Sequence, residues 1–291
     1  SVQIADAAGQ LVTYYVDPYT GREQGIAGPM PFPEFLRALH GWLLLPWPDT
    51  HYSWGWYAVT AMGLPMLGSL ITGILIYKKF WRAYLNPRLR IGKGARIFWG
   101  DLHRLAGIWS LPFVALIALS GTWFLLSGLL YDLTGFRVFP PGAVIAPGDV
   151  PQVESRAALA PLDLDRALAT ARQAVPGLQV GDLSLPGDPY TPIMVYGRDS
   201  VPLVYAQAAI SPYDGRVMQT SSARTQSVLQ ITTTALFPLH FGDFLGLWLK
   251  LVYFVFGAML SAMVVSGMLI WTRRTALDAR PARAPRKVTP A

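Results

Sequence analysis

The 291-residue chain is 52 % hydrophobic and 14 % charged, with a mean hydropathy of +0.34, and an ordinary soluble domain carries about 25 % charged residues. Its net charge of +7 lies mainly in segments beside apolar runs, so we attribute the basicity to membrane orientation and anionic lipid and expect no nucleic-acid partner. The absence of cysteine excludes disulfides, iron–sulfur clusters, thiolate metal sites and covalently attached c-type haem. The composition therefore predicts a protein of the lipid bilayer with a sizeable soluble part.

The first third of the chain predicts a partial soluble module followed by a membrane span. Residues 1–32 contain two short strands at 3–16 and the turn sequence Asp17-Pro-Tyr-Thr-Gly. Residues 33–53 predict a short helix at the membrane surface, which carries His40, and the start of an aromatic belt. Residues 54–79 predict the first span, and the basic residues 80–104 predict a cytoplasmic loop.

The middle of the chain predicts a second span and an outer soluble domain. Residues 105–130 are uncharged and must run outward, which places His103 at the inner face. Residues 131–237 predict a small α+β domain, in which Asp163 caps a helix. Strands are expected at 179–185, 192–196 and 201–210, and the polar segment 220–234 is expected to be a mobile loop.

The end of the chain predicts a third span, assigned to residues 238–274. Residues 251–271 carry no charge and are long enough to cross a hydrocarbon layer of roughly 30 Å. Arg273 and Arg274 open a basic tail that continues through residues 275–291, which predicts a cytoplasmic end by the positive-inside rule. His240 is therefore expected at the opposite, outer face.

Three features occur twice in the same order, which predicts an internal duplication. Each copy has a Pro-Tyr turn, then a histidine, then a span that ends in a small residue followed by Gly. The second copy is preceded by an inner histidine and an outward span, whereas the first begins inside its soluble module. We therefore expect a further spanning helix before Ser1. The copies are Asp17-Pro-Tyr-Thr-Gly, His40 and Thr72-Gly-Ile-Leu-Ile, and Ser211-Pro-Tyr-Asp-Gly, His240 and Ser266-Gly-Met-Leu-Ile.

Three of the four histidines lie where a predicted helix meets the membrane, where an ionisable residue indicates function. Two imidazoles from different helices can hold the iron of a b-type haem with both axial positions filled, which suits electron transfer. His40 and His240 occupy equivalent positions and are expected to share one haem. His103 is expected to serve a second haem, with its partner before Ser1. His51 is interpreted as a hydrogen-bonded surface residue.

Other chemistries find little support in the sequence. Asp101, Asp132 and Asp243 are the carboxylates nearest the spans, but each lies at a different end, so they form no acid/base pair. The sequence has no Gly-rich phosphate loop, no His-Glu-x-x-His and no Gly-x-Ser-x-Gly motif. Hydrolytic catalysis is therefore not predicted.

The chain resembles the PepSY-associated transmembrane proteins, an iron-regulated bacterial inner-membrane group that includes ferric-siderophore reductases. The resemblance covers nearly the whole chain. The motifs that carry it are the two Pro-Tyr-x-Gly turns, Leu39-His40, Asp101-Leu-His-Arg-Leu-Ala-Gly107, Pro238-Leu-His-Phe-Gly-Asp243 and Ser266-Gly-Met-Leu-Ile-Trp271.

This resemblance implies a four-helix, di-haem b inner-membrane protein with periplasmic PepSY modules. It would pass electrons from a cytoplasmic or quinone donor to a ferric siderophore, with His40, His103 and His240 as axial iron ligands. Three spans are expected here instead of four. Two alternatives remain: a haem-free, membrane-anchored PepSY protein that binds peptides or regulates a protease, and a transporter-associated subunit. The residues do not identify the siderophore, the donor or the oligomeric state.

Overall fold

A computed structural model describes residues 2–5, 11–17, 19–28, 30–48, 50–76, 80–152, 162–201 and 203–278. The chain forms two compact units. The first contains residues 1–67 and 121–136, and the second contains residues 68–120 and 137–291. Most of the predicted basic tail 275–291, the end of the first predicted span at 77–79 and the predicted turn within residues 6–10 lie outside the described residues.

Within the described residues, three helical segments are long and apolar enough to cross a membrane. They are Trp54–Ile76, Leu111–Thr134 and Gly246–Leu269. The first consists of α2 (Trp54–Ala61) and α3 (Gly63–Ile76), the second is α6 (Leu111–Thr134), and the third belongs to α9 (Gly246–Asp278). These segments agree with the predicted α-helical membrane class.

The first unit begins with a three-stranded antiparallel sheet in the order β1 (Val2–Ala5), β2 (Leu11–Val16), β3 (Glu23–Ala27). The sequence predicted two of these strands and missed β3, which follows the Asp17 turn. The predicted surface helix is α1 (Phe32–Trp42), which carries His40 in its last turn. It ends at Leu43, whose φ of 55° is left-handed.

Residues 80–104 differ from the predicted loop, because they contain helix α4 (Phe80–Leu85) and most of α5 (Ala95–Trp109). Gly94, with a φ of 92°, provides the start of α5. Ile97, Asp101 and Ile108 are buried or half-buried at helical spacing, while the basic side chain of Arg104 stays exposed. His103 therefore lies within a helix, and the second span starts at Leu111, after Ser110.

The soluble part of the second unit is an α+β domain built on a four-stranded antiparallel sheet in chain order. Asp163 caps α7 (Leu164–Ala174) as predicted, accepting a hydrogen bond from the Arg166 backbone N–H at 2.8 Å. Ala171, Val195 and Ala208 are fully buried where α7 packs on the sheet. A 3₁₀ turn, Pro147–Asp149, precedes this domain. The strands are β4 (Gln179–Ser184), β5 (Ile193–Arg198), β6 (Tyr205–Ile210) and β7 (Val217–Ser221).

Two predictions near the third span were wrong. The expected mobile loop at 220–234 contains the end of β7 and the start of α8 (Val228–Phe241). Ser227 and Gln230 form a capping box at the start of α8, with each side chain bonded to the other's backbone N–H. Residues 238–274 are also not one helix, because Gly242 (φ 67°) and Gly246 (φ 74°) separate α8 from α9.

Candidate functional site

His103 is held by a serine on another helix. It lies on α5, and its Nδ1 is 2.9 Å from the hydroxyl of Ser266 on α9. Ser266 is 3 % exposed, and its hydroxyl donates to the backbone carbonyl of Met263 at 3.1 Å. A serine hydroxyl has only one proton. When that proton is donated to the Met263 carbonyl, the hydroxyl accepts from His103, and the imidazole then carries its own proton on Nδ1.

Small residues let α5 and α9 approach closely around His103. A Cβ added at Gly267 would lie 3.5 Å from Cε1 of His103, and one added at Gly107 would lie 3.4 Å from Cε of Met263. The buried Ser110 also has its hydroxyl 3.5 Å from the Met263 sulfur. Gly267 thus lies directly beside this histidine.

His240 has the same kind of support, built from different elements. It lies in the last turn of α8, and its Nδ1 is 2.7 Å from the hydroxyl of Ser120 on α6. Ser120 is fully buried, and its hydroxyl donates to the carbonyl of Leu116 at 2.7 Å. The same count applies here, since a Ser120 hydroxyl that donates to the Leu116 carbonyl accepts from Nδ1 of His240.

This arrangement is compatible with the same tautomer at both positions. A neutral imidazole with its proton on Nδ1 carries its acceptor lone pair on Nε2. Histidines that bind metals usually donate their other N–H to a fixed acceptor, which orients the ring and raises its basicity. Sequence reasoning missed Ser120 and Ser266, because 120 and 163 residues separate them from the histidines they contact.

His40 belongs to the first unit, whereas His103 and His240 belong to the second. It lies in the last turn of α1, with its side chain exposed. The proposed sharing of one haem by His40 and His240 stays a prediction. Within the described residues, no group of three or more His, Cys, Asp or Glu side chains is arranged to hold a bare metal ion.

The two Pro-Tyr turns have the same hydrogen-bond pattern, as a duplication requires. The Gly21 N–H donates to the carbonyl of Asp17 at 2.9 Å, and the Gly215 N–H donates to that of Ser211 at 3.0 Å. Both glycines are left-handed, with φ of 68° and 74°. Each turn joins two antiparallel strands, and each hairpin leads to a helix with His40 or His240 in its last turn. In both copies a left-handed residue ends that helix.

An acidic residue organises the aromatic belt of the first unit. Oδ2 of Asp132 on α6 accepts hydrogen bonds from the Tyr52 backbone N–H at 3.0 Å and from the Tyr57 hydroxyl at 2.5 Å. The Tyr52 ring stacks on Trp56 with 5.5 Å between centroids. His51 is exposed, with Nδ1 3.0 Å from the Thr50 hydroxyl, which agrees with its interpretation as a hydrogen-bonded surface residue.

Asp101 anchors the middle of α5, two residues before His103. Its carboxylate is 2 % exposed and accepts from the Arg90 guanidinium at 2.9 Å and from Arg104 at 2.7 Å. The hydrogen bond from the Arg90 side chain is the main reason that the pKa of Asp101 lies well below its usual range. The pair with Arg90 ties the preceding loop to the helix that carries His103.

Asp243 follows His240 by three residues and connects three elements of the second unit. Its carboxylate is 3.4 Å from the guanidinium of Arg198 on β5 and 3.0 Å from the ammonium of Lys250 on α9. Arg198 also donates to the backbone carbonyl of Asp243. The soluble sheet is thus attached directly to the chain segment behind His240.

Comparison with known proteins identifies the family. A family model described as the PepSY-associated TM region matches residues 3–274. The chain is also 28 % identical over 272 residues to the protein named "Uncharacterized protein PA4219" of Pseudomonas aeruginosa. That match covers 86 % of this chain and 66 % of the relative, so the chain spans just under two thirds of the relative's length. Since the family model matches nearly its whole length, the chain belongs to the PepSY-associated transmembrane family.

Proposed function

We propose that the protein is a haem b-dependent membrane reductase that passes electrons to a ferric siderophore. The observation that carries this proposal is the shared support of His103 and His240. Each imidazole has Nδ1 within hydrogen-bond distance of a buried serine hydroxyl that also lies within reach of a backbone carbonyl of its own helix. Two different pairs of helices thus offer an acceptor for a proton on Nδ1, which favours the tautomer whose Nε2 can bind a haem iron.

His40 and His240 would hold one haem, and His103 would serve a second. A haem held by two imidazoles supplies a one-electron couple without an open position for oxygen. Ser120 and Ser266 would keep the ring protons on Nδ1 and fix the ring orientations, and Gly267 places no side chain against His103. The donor is a cytoplasmic reductant or a quinol, and siderophores hold Fe(II) far less tightly than Fe(III), so one-electron reduction releases the metal.

The charge pattern supports a location in the bacterial inner membrane. Positive residues concentrate in cytoplasmic segments beside spans. Arg88, Arg90, Arg96 and Arg104 lie between the first two spans, and Arg273 and Arg274 follow the third. With these segments in the cytoplasm, the two sheets face the periplasm, where a ferric siderophore arrives from outside. His103 faces the donor side, and His240 lies between them at the level of Ser120 in the second span.

The test is the dithionite-reduced minus oxidised visible spectrum of the full-length protein produced with ample haem. Sharp low-spin b-type bands are expected, with part of the amplitude lost in His103→Ala and in His240→Ala. His51→Ala is the matched control, because His51 is exposed and bonded only to its neighbour Thr50 in the described part of the chain. Its spectrum is expected to equal that of the wild type.

Activity is tested by adding a ferric siderophore to the reduced protein and trapping Fe(II) with a coloured ferrous-specific ligand. One Fe(II) is expected for each electron that the reduced protein gives up. A flat spectrum from haem-replete protein would refute the redox proposal and favour the haem-free, peptide-binding alternative. Equal band loss in His51→Ala and His240→Ala would also contradict it, because the loss would then be unrelated to ligation.

A further inference from the structure

The sheet of the second unit has one face that α7 does not cover. Val195 and Ala208 point toward α7 and are fully buried. Neighbouring residues in a strand point to opposite faces, so Tyr196 and Gln207 lie on the other face. The register pairs Tyr196 with Gln207 and Gln207 with Ser221, which forms a continuous row across β5, β6 and β7.

This second face forms the floor of a half-open cavity of about 330 Å³. Phe237 on α8 and Phe139 form its walls, and Tyr205 extends the floor beyond Gln207. The volume is at the lower end of the range of about 300–1,000 Å³ that is usual for small-molecule sites. It accommodates a group of one or two rings, with the remainder of a larger molecule outside.

One amide in the cavity is structural, and another is available for binding. Gln226 donates to the Tyr205 carbonyl at 3.1 Å and to the Ser221 hydroxyl at 3.0 Å, and it accepts from Thr234 on α8 at 3.2 Å. It therefore fixes α8 against the sheet. In contrast, the Gln207 amide and the Tyr196 hydroxyl make no hydrogen bond within the described residues, although both line the cavity.

None of the described side chains that line the cavity is charged. A charged ligand would lose its hydration there without a counter-charge, whereas aromatic walls favour a flat ring. Arg198, one row further along the sheet, is already engaged with Asp243. The cavity chemistry therefore selects an uncharged, planar ring that carries a hydrogen-bonding oxygen.

The cavity is directly connected to the helix of the candidate histidine. Phe237 precedes His240 by three residues, about 4.5 Å along the helix axis. Its ring stacks on Phe241 with 6.4 Å between centroids, and the His240 ring meets Phe241 at 5.6 Å. A ligand packed against Phe237 is thus connected to His240 through the ring of Phe241.

We propose that this cavity binds the planar, uncharged ring of a neutral ferric chelate, and that it positions the electron acceptor of the reductase. The role of the cavity in electron transfer rests on the proposed function, whereas the chemistry by which the cavity binds a ring does not. Binding at the cavity is therefore tested with a metal that cannot be reduced, so that it does not depend on haem.

The probe is gallium(III) tris(maltolate), a neutral complex whose three ligands are flat rings bearing oxygen acceptors. Binding to the full-length protein is measured by equilibrium dialysis with detection of gallium. Saturable binding is expected, weakened at least tenfold by Tyr196→Ala and by Gln207→Ala. Gln173→Ala is the matched control, since Gln173 is exposed on α7 across the sheet, and it is expected to bind as the wild type does.

Gallium(III) tris(acetohydroxamate), which is neutral but lacks rings, is expected to bind at least tenfold more weakly than the maltolate complex. Absence of saturable maltolate binding, equal affinity in Gln207→Ala and Gln173→Ala, or equal affinity for the two complexes would each overturn the cavity assignment. A flat haem spectrum together with normal gallium binding would refute the reductase proposal alone. Normal haem bands without gallium binding would refute the cavity alone.

Discussion

Gly242 ends α8 two residues after His240, and we predict that replacing it with alanine destabilises the protein strongly. Its φ is +67°, which costs an alanine about 1–2 kcal/mol. A Cβ there would also lie 2.6 Å from Cγ of Tyr253 and within 2.9 Å of two further ring atoms. Overpacking of this kind adds about 1–3 kcal/mol.

The Tyr253 ring has little freedom to move away from an added methyl group. Its hydroxyl donates to the Leu239 carbonyl at 2.5 Å, and its ring meets Phe113 edge-on with 5.3 Å between centroids. Relief of the clash would therefore require breaking a contact that joins α8 to α9, which is why we expect the full overpacking cost.

Gly246→Ala separates the cost of the left-handed backbone from the cost of overpacking. Gly246 has a similar φ of +74°, but no heavy atom lies within 4 Å of the added Cβ, so only the backbone cost applies. Thermal unfolding of both variants in the same detergent or nanodisc should place Gly242→Ala below Gly246→Ala by about 1–3 kcal/mol, or roughly 2–12 °C. Equal melting temperatures, or a lower one for Gly246→Ala, would refute this account of the α8–α9 junction.

Two further predictions concern the carboxylates at the ends of the second span. Because the pKa of Asp101 is lowered in the folded state, chiefly by Arg90, its stabilisation is present above the unfolded value near pH 4 and is lost as the pH falls through the folded value. Asp101→Asn should therefore lower the melting temperature at pH 7 and make the melting temperature fall less steeply below about pH 4. The control variant Asp182→Asn, at an exposed position, should leave both the melting temperature at pH 7 and its fall in acid unchanged. Identical dependence of the melting temperature on acid pH in the two variants would contradict the role of Asp101. Asp132→Leu should leave the Tyr52 N–H and the Tyr57 hydroxyl without an acceptor, which costs about 1–3 kcal/mol of stability for each donor. Tyr57→Phe removes one donor together with its hydrogen bond and should therefore destabilise the protein less in thermal unfolding. A larger destabilisation by Tyr57→Phe than by Asp132→Leu would contradict the assigned bonds.

The sequence predicted features that depend on local patterns. Uncharged runs located three apolar helices, and Asp163 before an apolar helical stripe located α7. The capping box of Ser227 and Gln230 was also a local signal, but the polar composition around it was interpreted as a loop. Gly242 and Gly246 indicated a break after α8, but the segment around them is apolar throughout and was therefore predicted to be one continuous helix.

The supports of the histidines were not accessible from the sequence. Serines are common in spans, and nothing near Ser120 distinguishes it from Ser261, whose hydroxyl bonds back to the Gly257 carbonyl of its own helix. Ser266 belongs to the repeat, but the repeat does not indicate that it contacts His103. What sets Ser120 and Ser266 apart is a contact across 120 or 163 residues. Such pairings depend on how helices pack, which periodicity does not specify. The duplication predicted equivalent histidines, but not their partners.

The choice of serine as the partner has a physical reason. A carboxylate would orient the ring and raise its basicity more strongly, but a charge near the centre of a span costs about 2.5–3.5 kcal/mol. Ser120 lies in α6, within the second span, and is fully buried. Its hydroxyl can donate to the Leu116 carbonyl and accept from His240 at the same time. A neutral acceptor of this kind would therefore fix the tautomer without placing a charge in the bilayer, and Ser266 would do the same for His103 through the Met263 carbonyl.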